Sequence, residues 1–441
     1  MKKTSTPSWL LDAIGINQDR LNDIAFETEL FKRIRLLTPT SLLFSILNES
    51  MKGTTSYNDL ASSIESEDDV SVSKQAVWKK VKEPCKKFFM EIMELVISNK
   101  INSSEIKMKH WSSNYKRVLV QDSTIVKLPT RLYEIFSGVS NGHSKVCNAR
   151  IQCTYDILAE QFVSFSIDPY NKNDLKAAPE IILQEGDLVL RDRGYMILDE
   201  IQRHIEHGAQ CIFRHKFGMT LLDPKTEQPI NILELLKKNI NLDMEVMLNN
   251  ESKTIVRLIG MPVNTKIANS RRAKAKRENK TTPSKEYLTL LGWSIYITTI
   301  PVDQSSHLKI FELYSLRWRI EIIFKSWKSN MAFDKIHNVS NIQLHVLLLA
   351  RFIMIVVSTQ NIYYRCKMII KKHCGKQLSL MKFTHYLFRY PKKIPILFHE
   401  VNKYKHEIGK NISAIARYCS YDKRRNRQNH EQQMNNLFCL S

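Results

Sequence analysis

The sequence predicts an α/β protein in which a mixed β-sheet covered by helices is interrupted by a β-rich insertion and flanked by helical terminal regions. Residues 20–105 have helical patterns, whereas from Arg117 onward strands come first and then alternate with helices. We expect a helical N-terminal region, a core in two parts around the insertion, and a basic helical C-terminal region. The N-terminal region is expected at 1–112, the first part of the core at 113–216 and the insertion at 217–303. The second part of the core is expected at 304–372 and the C-terminal region at 373–441.

The composition favours a polyanionic partner. The 441 residues include 66 Lys and Arg against 44 Asp and Glu, a net charge of +22, and such a field attracts nucleic acid. A membrane surface is the alternative. Its best candidate is the apolar run from Leu344 to Val357, but this run is shorter than the ~20 residues that a span needs and contains His345 and Arg351. It predicts a buried helix and no membrane partner.

The N-terminus and the cysteines favour a cytoplasmic protein. The segment "MKKTSTPSWLLDAIGINQDR" has two lysines but no sustained apolar stretch, so no signal peptide is expected. The eight cysteines form no C-x-x-C pair and no zinc-like cluster. Reduced thiols are therefore expected.

The stretch "SYNDLASSIESEDDVSVSKQAVWKKVKEPCKKFF" has the helix–turn–helix pattern of a small DNA-binding module. Ser73 is expected to cap a second helix that exposes Lys74, Gln75, Lys79 and Lys80. Helix pairs of this kind also serve as plain scaffold, and both interpretations stay open.

Two acids lie at informative places in the predicted core. Its strands are "RVLVQDSTIVKL", "NARIQCTYDILAE", "QFVSFSID", "DLVLRD" and "QCIFRHK", with helices expected near 177–184 and 196–206. Asp122 lies in or at the end of the first strand, and Asp192 ends the strand that leads into "RGY". Acids at strand ends also form turns and caps, so each aspartate has a purely structural role as the alternative to a functional one.

The insertion is predicted to contain the strands "LDMEVML", "KTIVRLIGMPV" and "EYLTLLGWSIYITTI", with Trp293, Ile295 and Ile297 on one face of the last. Between them "NTKIANSRRAKAKRENKTTPSK" predicts a mobile, exposed loop that could bind a phosphate backbone. A charge run is also often only solvated. The candidate DNA-binding residues in this loop are Arg271, Arg272, Lys274 and Lys276.

The stretch "YSLRWRIEIIFKSWKSN" predicts an amphipathic helix with one acid among cations. At about 100° per residue, its polar residues share a stripe about 60° wide. The stripe consists of Tyr314, Arg317, Glu321 and Lys328, and the opposite apolar face of Leu316, Ile320, Ile323, Phe324 and Trp327. The stripe predicts a polar site, and the alternative is a solvated helix face with surface ion pairs.

These residues resemble the catalytic set of the DDE transposases of bacterial insertion sequences, in the family with the Tyr-x2-Arg-x3-Glu-x6-Lys signature. Tyr314, Arg317, Glu321 and Lys328 match the signature at the family spacing, and "QDSTIVKLP" and "LRDRGY" match the contexts of the two aspartates. The resemblance extends over nearly the whole chain. It implies an RNase H-like catalytic core that is interrupted by an all-β insertion domain.

The resemblance also implies a chemistry and a partner. Asp122, Asp192 and Glu321 are the implied catalytic residues and ligands of two Mg²⁺ ions, for which Mn²⁺ can substitute. The implied partner is double-stranded DNA, as terminal inverted repeats and target, bound by a homodimer. Arg317 and Lys328 are then expected to hold phosphates, with a hydrogen bond from Tyr314.

Members of this family excise their element through a DNA hairpin, which needs a base near the turn to leave the stack. Trp293 matches the place where the family receives this base, and Trp318 follows Arg317 directly. Aromatic rings offer such a base a stacking surface, although a tryptophan also suits a protein core. Two alternatives to a cut-and-paste transposase are a transposase-derived DNA-binding protein without catalysis and an RNase H-type nuclease that hydrolyses without joining.

Overall fold

The structure, a computed structural model, describes most of the chain. The described residues are 8–53, 55–98, 114–138, 145–172, 178–239, 241–278, 281–403, 408–422 and 430–438. Residues 423–429, which contain most of the basic run predicted for the C-terminal tail, lie outside them, as do Cys439 and the end of the predicted N-terminal helical stretch at 99–105. The seven cysteines within the described ranges are free thiols.

Helices form the N-terminal region because capping residues precede amphipathic segments. Ser56 and Asp59 form a capping box, and Ser73 caps the next helix by accepting from the Ala76 N–H, as predicted. Lys74, Gln75 and Lys79 are exposed on it, whereas Lys80 is partly buried and donates to the Leu30 carbonyl oxygen at 2.7 Å. The six helices are α1 (Ser8–Ile14), α2 (Gln18–Glu27), α3 (Pro39–Ser50), α4 (Tyr57–Asp68), α5 (Lys74–Lys80) and α6 (Glu83–Ser98).

Within the described residues the strands form one nine-stranded mixed sheet, in the order β3-β2-β1-β4-β5-β9-β8-β7-β6. The β1–β4 and β4–β5 pairs are parallel and the other pairs are antiparallel. The strands of the insertion thus extend the sheet of the core through the β5–β9 pair. The strands are β1 (Arg117–Lys127), β2 (Asn148–Asp156), β3 (Gln161–Pro169), β4 (Asp187–Arg191), β5 (Gln210–Arg214), β6 (Leu221–Leu222), β7 (Leu242–Leu248), β8 (Ile255–Pro262) and β9 (Trp293–Thr298).

The remaining helices cover this sheet and build the C-terminal region. Between the strands lie α7 (Leu198–Glu206), α8 (Ile232–Lys238), α9 (Thr265–Glu278) and α10 (Lys285–Leu290). After the sheet come α11 (His307–Ser315), α12 (Trp318–Asn330), α13 (Asn341–Val356), α14 (Tyr364–Cys374), α15 (Leu380–Arg389), α16 (Lys393–Lys403), α17 (Lys410–Tyr418) and α18 (His430–Phe438), with a π-helical turn at Val357–Tyr363.

Aromatic packing fixes α12 and α13 against one face of the sheet. The ring of Phe162 in β3 lies 5.6 Å from Trp327 of α12 and 5.2 Å from Phe352 of α13. The predicted apolar face of α12 is buried, with Trp327 and Ile320 fully so. A second buried cluster lies under the insertion and includes Phe213, Leu258 and Ile297.

The apolar run from Leu344 to Val357 forms a buried core helix, as predicted. The continuous helical stretch Asn341–Cys374 is long and apolar enough to cross a membrane, but 78% of its most apolar window is buried inside the protein. A helix that packs against protein on most of its surface is a core element.

Four local predictions were wrong. Residues 178–184 form neither helix nor strand, whereas a helix was predicted there; Ala177 lies outside the described residues. Ile181 and Leu183 are buried and Ile182 is exposed. This alternation is the period of an extended chain, and Pro179 disfavours a helix interior. The stretch "EYLTLL" was predicted as strand but forms α10, which Ser284 caps.

The basic loop was the third wrong prediction, since most of it is the helix α9. Its Ala, Lys and Arg residues have high helix propensity, Asn264 accepts from the Lys266 N–H, and Ala268 is buried. The insertion is therefore not all-β, because α8, α9 and α10 belong to it. Fourth, the single helix predicted from Tyr314 is two helices with a turn at Leu316 and Arg317.

Candidate active site

The parallel pairing of β1 with β4 brings the two aspartates together. The register pairs Gln121 with Arg191, so Asp122 and Asp192 are the next residues along two neighbouring strands. Ligands bind at the carboxyl ends of parallel strands in α/β sheets. Asp192 follows β4 at that end, whereas Asp122 lies inside β1, which continues to Lys127.

The junction of α11 and α12 brings Glu321 to the same place. Arg317 precedes the first residue of α12, and its guanidinium donates to Asp122 Oδ2 at 3.0 Å and to Glu321 Oε1 at 2.7 Å. The Tyr314 hydroxyl lies 3.5 Å from Asp192 Oδ1 and 3.4 Å from the Arg191 carbonyl oxygen. The three acids, far apart in sequence, therefore surround one arginine and one tyrosine.

The turn at Leu316 and Arg317 preserves the predicted polar stripe. Both residues keep right-handed helical dihedrals, with φ/ψ of −61°/−25° and −53°/−32°. The angular positions of Tyr314, Arg317 and Glu321 around the axis are consequently little changed. The stripe is also not a solvated face, because Arg317 and Tyr314 are buried.

The local charges perturb several groups at this site. Burial raises the pKa of Asp122 to about 6 although the Arg317 guanidinium opposes the shift, and the charges of Glu321 and Asp192 raise it further. Burial raises the pKa of the Tyr314 hydroxyl, so the phenol is neutral and donates its hydrogen bond. Burial would lower the pKa of Arg317, but Tyr314 and the three acids raise it, which keeps the guanidinium charged.

A cleft of about 470 Å³ opens beside these groups. Asp122 and Glu321 line it, and Lys328 lies on its wall, where the ammonium donates to the Ile125 carbonyl oxygen at 2.7 Å. Our sequence reasoning missed Lys325, which also lines the cleft and is exposed. Its position one turn after Glu321 was the available signal.

The other predicted site residues lie in different surroundings. Trp318 has 61% of its surface exposed and directly follows Arg317. Trp293 is half-buried and packs against the cluster under the insertion. Arg271 donates to the Trp293 carbonyl oxygen and Arg272 to that of Leu288. Lys274 and Lys276 are exposed on α9.

The carboxylates do not form a closed metal cage in this arrangement. Within the described residues, no three His, Cys, Asp or Glu side chains are grouped closely enough to hold a metal ion together. Arg317 occupies the space between Asp122 and Glu321. The donor set is nevertheless all carboxylate oxygen, the ligand type that Mg²⁺ prefers.

Comparison with known proteins agrees with this site. A family model described as "Transposase DDE domain" matches residues 114–357, which include all three acids. The chain belongs to this family of DDE transposases. The matched segment contains the sheet, the insertion and the helices from α11 to α13.

Curated transposases of insertion sequences are similar over longer stretches. The chain is 26% identical over 310 residues to the transposase for insertion sequence element IS231E of Bacillus thuringiensis subsp. finitimus. This match covers 65% of this chain and 64% of that protein. It is 28% identical over 321 residues to the transposase for IS231B of Bacillus thuringiensis subsp. berliner, covering 66% and 67%. It is 23% identical over 433 residues to the transposase for IS1151 of Clostridium perfringens, covering 92% and 89%.

Proposed function

We propose that this DDE transposase excises an insertion sequence and integrates it elsewhere by Mg²⁺-dependent phosphodiester hydrolysis and strand transfer. Its substrates are double-stranded DNA, as terminal inverted repeats and as target, bound by a homodimer in the cytoplasm at the nucleoid. Its catalytic core is RNase H-like. The observation that supports this most is the convergence of Asp122, Asp192 and Glu321 on Arg317 and Tyr314 beside one open cleft.

The three carboxylates are the residues that would hold the divalent ions. When bound, such ions activate the attacking oxygen and stabilise the leaving oxygen of a phosphodiester. The acids suit this task because they lie on separate elements: Asp122 inside β1, Asp192 directly after the neighbouring β4, and Glu321 on α12.

The cations of the cleft position the DNA. Lys325 and Lys328 lie on one face of α12 and line the cleft with Glu321. Phosphate contacts orient a duplex without reading its sequence. The Tyr314 phenol faces the Asp192 carboxylate at 3.5 Å, and the charge of Arg317 offsets the repulsion between Asp122 and Glu321.

The decisive experiment incubates the protein with Mg²⁺ and DNA that carries the terminal repeats of its own element between flanking sequences. Excised and joined products on a gel support the proposal. Bound but uncut DNA would indicate a DNA-binding protein, and cleavage that ignores the repeats would indicate a nuclease. Either of these results contradicts the proposal.

Variants of the acids test the assignment of the site. Asp122→Asn, Asp192→Asn and Glu321→Gln are each expected to abolish strand cleavage but to retain terminal-repeat binding, since phosphate contacts elsewhere dominate affinity. Asp199→Asn is the matched control, because Asp199 is an exposed acid seven positions after Asp192, and it should cleave normally. A cleaving Asp192→Asn protein would contradict the assignment.

We further propose that excision passes through a DNA hairpin with a base held on a tryptophan. Removing a base from the stack costs a few kcal/mol, and stacking on an aromatic ring returns roughly 1 to 3 kcal/mol. Trp318 suits this role by its exposure beside Arg317. Trp293 lies on β9, whose Tyr296 ring is 4.5 Å from that of Tyr314.

Substitution of the tryptophans separates nicking from hairpin formation. Trp293→Ala is expected to nick the element end but to form little hairpin, and Trp318→Ala to show a milder defect at the same step. A denaturing gel separates the nicked DNA, the hairpin DNA and the products in which the hairpin has been opened. A Trp293→Ala protein that melts far below wild type and fails to nick would instead show that Trp293 is a core residue.

A further inference from the structure

The C-terminal helices form a groove that the catalytic proposal does not use. The groove has a volume of about 830 Å³ and lies between α12, α15 and the segment around Tyr418. We call it the tyrosine groove. The side chains that define it are Tyr386, Tyr390, Tyr418, Lys382, Arg389 and Lys393.

Aromatic rings of this groove are open to solvent. Tyr390 is 46% exposed and Tyr418 is 61% exposed. The rings of Tyr386 and Tyr390 lie 5.1 Å apart at 60° to each other, so they do not cover each other's faces. Exposed aromatic clusters of this kind mark interaction surfaces.

Cations lie among these rings. The Lys393 ammonium donates to the Tyr386 hydroxyl at 2.7 Å and lies 5.7 Å from the Tyr390 centroid. Arg389 is exposed, whereas Lys382 is paired with Asp422 at 3.0 Å. Among the described residues, no Asp or Glu lines the groove, so its lining favours an anionic partner with flat apolar faces.

The groove and the catalytic cleft are both lined by residues at the C-terminal end of α12. Lys328 and Ser329 line the cleft and Asn330, the next residue, lines the groove. The Asn330 side-chain amide donates to the Met381 carbonyl oxygen at 3.1 Å and to the Thr384 hydroxyl at 2.9 Å, which joins α12 to α15.

We propose that the tyrosine groove binds a single-stranded segment of DNA next to the cleavage site. Stacking of bases on aromatic rings with cations along the backbone is the general mode of single-strand binding. A duplex is a poorer fit, because its base faces are already stacked. The inference rests on the proposed transposase function, which supplies a freed strand at the cleft.

Binding of a labelled twelve-nucleotide thymidine oligomer, followed by fluorescence anisotropy in EDTA, tests this inference apart from cleavage. Tyr390→Ala and Tyr418→Ala should each weaken binding about 5- to 150-fold, the equivalent of roughly 1 to 3 kcal/mol of stacking. Tyr390→Phe keeps the ring and should bind as wild type. Phe217→Ala, which removes a 43% exposed ring from the insertion, is the matched control and should also bind as wild type.

Several results would overturn the inference. Unchanged affinity in both alanine variants would remove the stacking role, and full competition by a polyglutamate peptide of equal charge would reduce the groove to a general anion surface. A photocrosslink from 5-iododeoxyuridine should map to Tyr386, Tyr390 or Tyr418, and a crosslink only elsewhere would contradict the proposal. If the oligomer binds through these tyrosines while DNA that carries the repeats is never cut, the groove stands and the transposase proposal fails.

Discussion

Arg317 is the residue on which the geometry of the site depends. Its side chain is 10% exposed and bridges Asp122, itself 19% exposed, to Glu321. The sequence predicted that Arg317 binds DNA phosphate, but in the structure the partners of its guanidinium are the carboxylates of Asp122 and Glu321. A cation in this position offsets the mutual repulsion of the acids when no metal ion is bound.

We expect Arg317→Ala to destabilise the metal-free protein by about 3 kcal/mol, because it leaves a buried carboxylate without its partner. Added Mg²⁺ should restore more of the lost stability in the variant than it adds to wild type, since a bound cation stabilises the state it binds. Thermal unfolding with and without MgCl₂ measures both effects. Arg20→Ala, which breaks an exposed pair with Glu27, should change little. An Arg317→Ala protein that melts like wild type in EDTA would contradict this role.

At the scale of one element, α9 shows that the four basic residues predicted to bind DNA are of two kinds. Arg271 and Arg272 hold the helix to β9 and α10 through backbone carbonyl oxygens. Lys274 and Lys276 make no such contact with the sheet and are exposed. Only the lysines are therefore available to a phosphate backbone without loss of packing.

The double variant Lys274→Ala/Lys276→Ala should weaken binding to terminal-repeat DNA and lower the log–log salt slope by up to about 2, since each phosphate contact contributes about 0.9. Its melting temperature should not fall, because alanine has high helix propensity. Arg271→Ala should melt lower, because α9 loses its bonds to Trp293 and Ser294. Affinity titrations at several salt concentrations provide the measurement. An unchanged slope in the lysine variant would show that α9 does not contact DNA.

At the scale of the whole molecule, Arg351 ties the N-terminal helices to the C-terminal half. It is fully buried in α13 and donates to the carbonyl oxygens of Ser50 at 2.8 Å, Gly53 at 2.9 Å and Phe333 at 3.2 Å. Burial lowers the pKa of its guanidinium to about 10. The main apolar core likewise includes residues from the N-terminal helices, the sheet and the C-terminal helices.

Arg351→Leu should lower the free energy of unfolding by about 3 to 5 kcal/mol, because buried carbonyl groups lose their donors. Since the core is continuous, unfolding should remain one cooperative transition. Urea titrations followed by both far-UV circular dichroism and tryptophan fluorescence measure the free energy of unfolding and show whether the two transitions coincide. Arg417→Ala, at an exposed position, is the control. Separate transitions for the two probes in wild type would contradict a shared core.

The sequence by itself determined the elements whose pattern is local. The apolar runs of β1 and β4 and the apolar stripe of α12 predicted the strands and the buried helix face, because short apolar runs are typical of buried strands and side-chain period follows backbone geometry. The spacing of Tyr314, Arg317 and Glu321 identified the polar stripe, since a short turn with helical dihedrals preserves its phase.

Only the tertiary structure decided features that depend on contacts distant in sequence. Residues 178–184 form no helix, and Ile181 and Leu183 pack instead in a small core with Leu119 and Val189, contacts that no local pattern specifies. The basic segment is a helix rather than a loop because Ala268 is buried and Arg271 bonds to β9. The partner of Arg317 was likewise decided by the fold: Asp122 lies 195 positions away, and only the sheet brings its carboxylate to within 3.0 Å of the guanidinium.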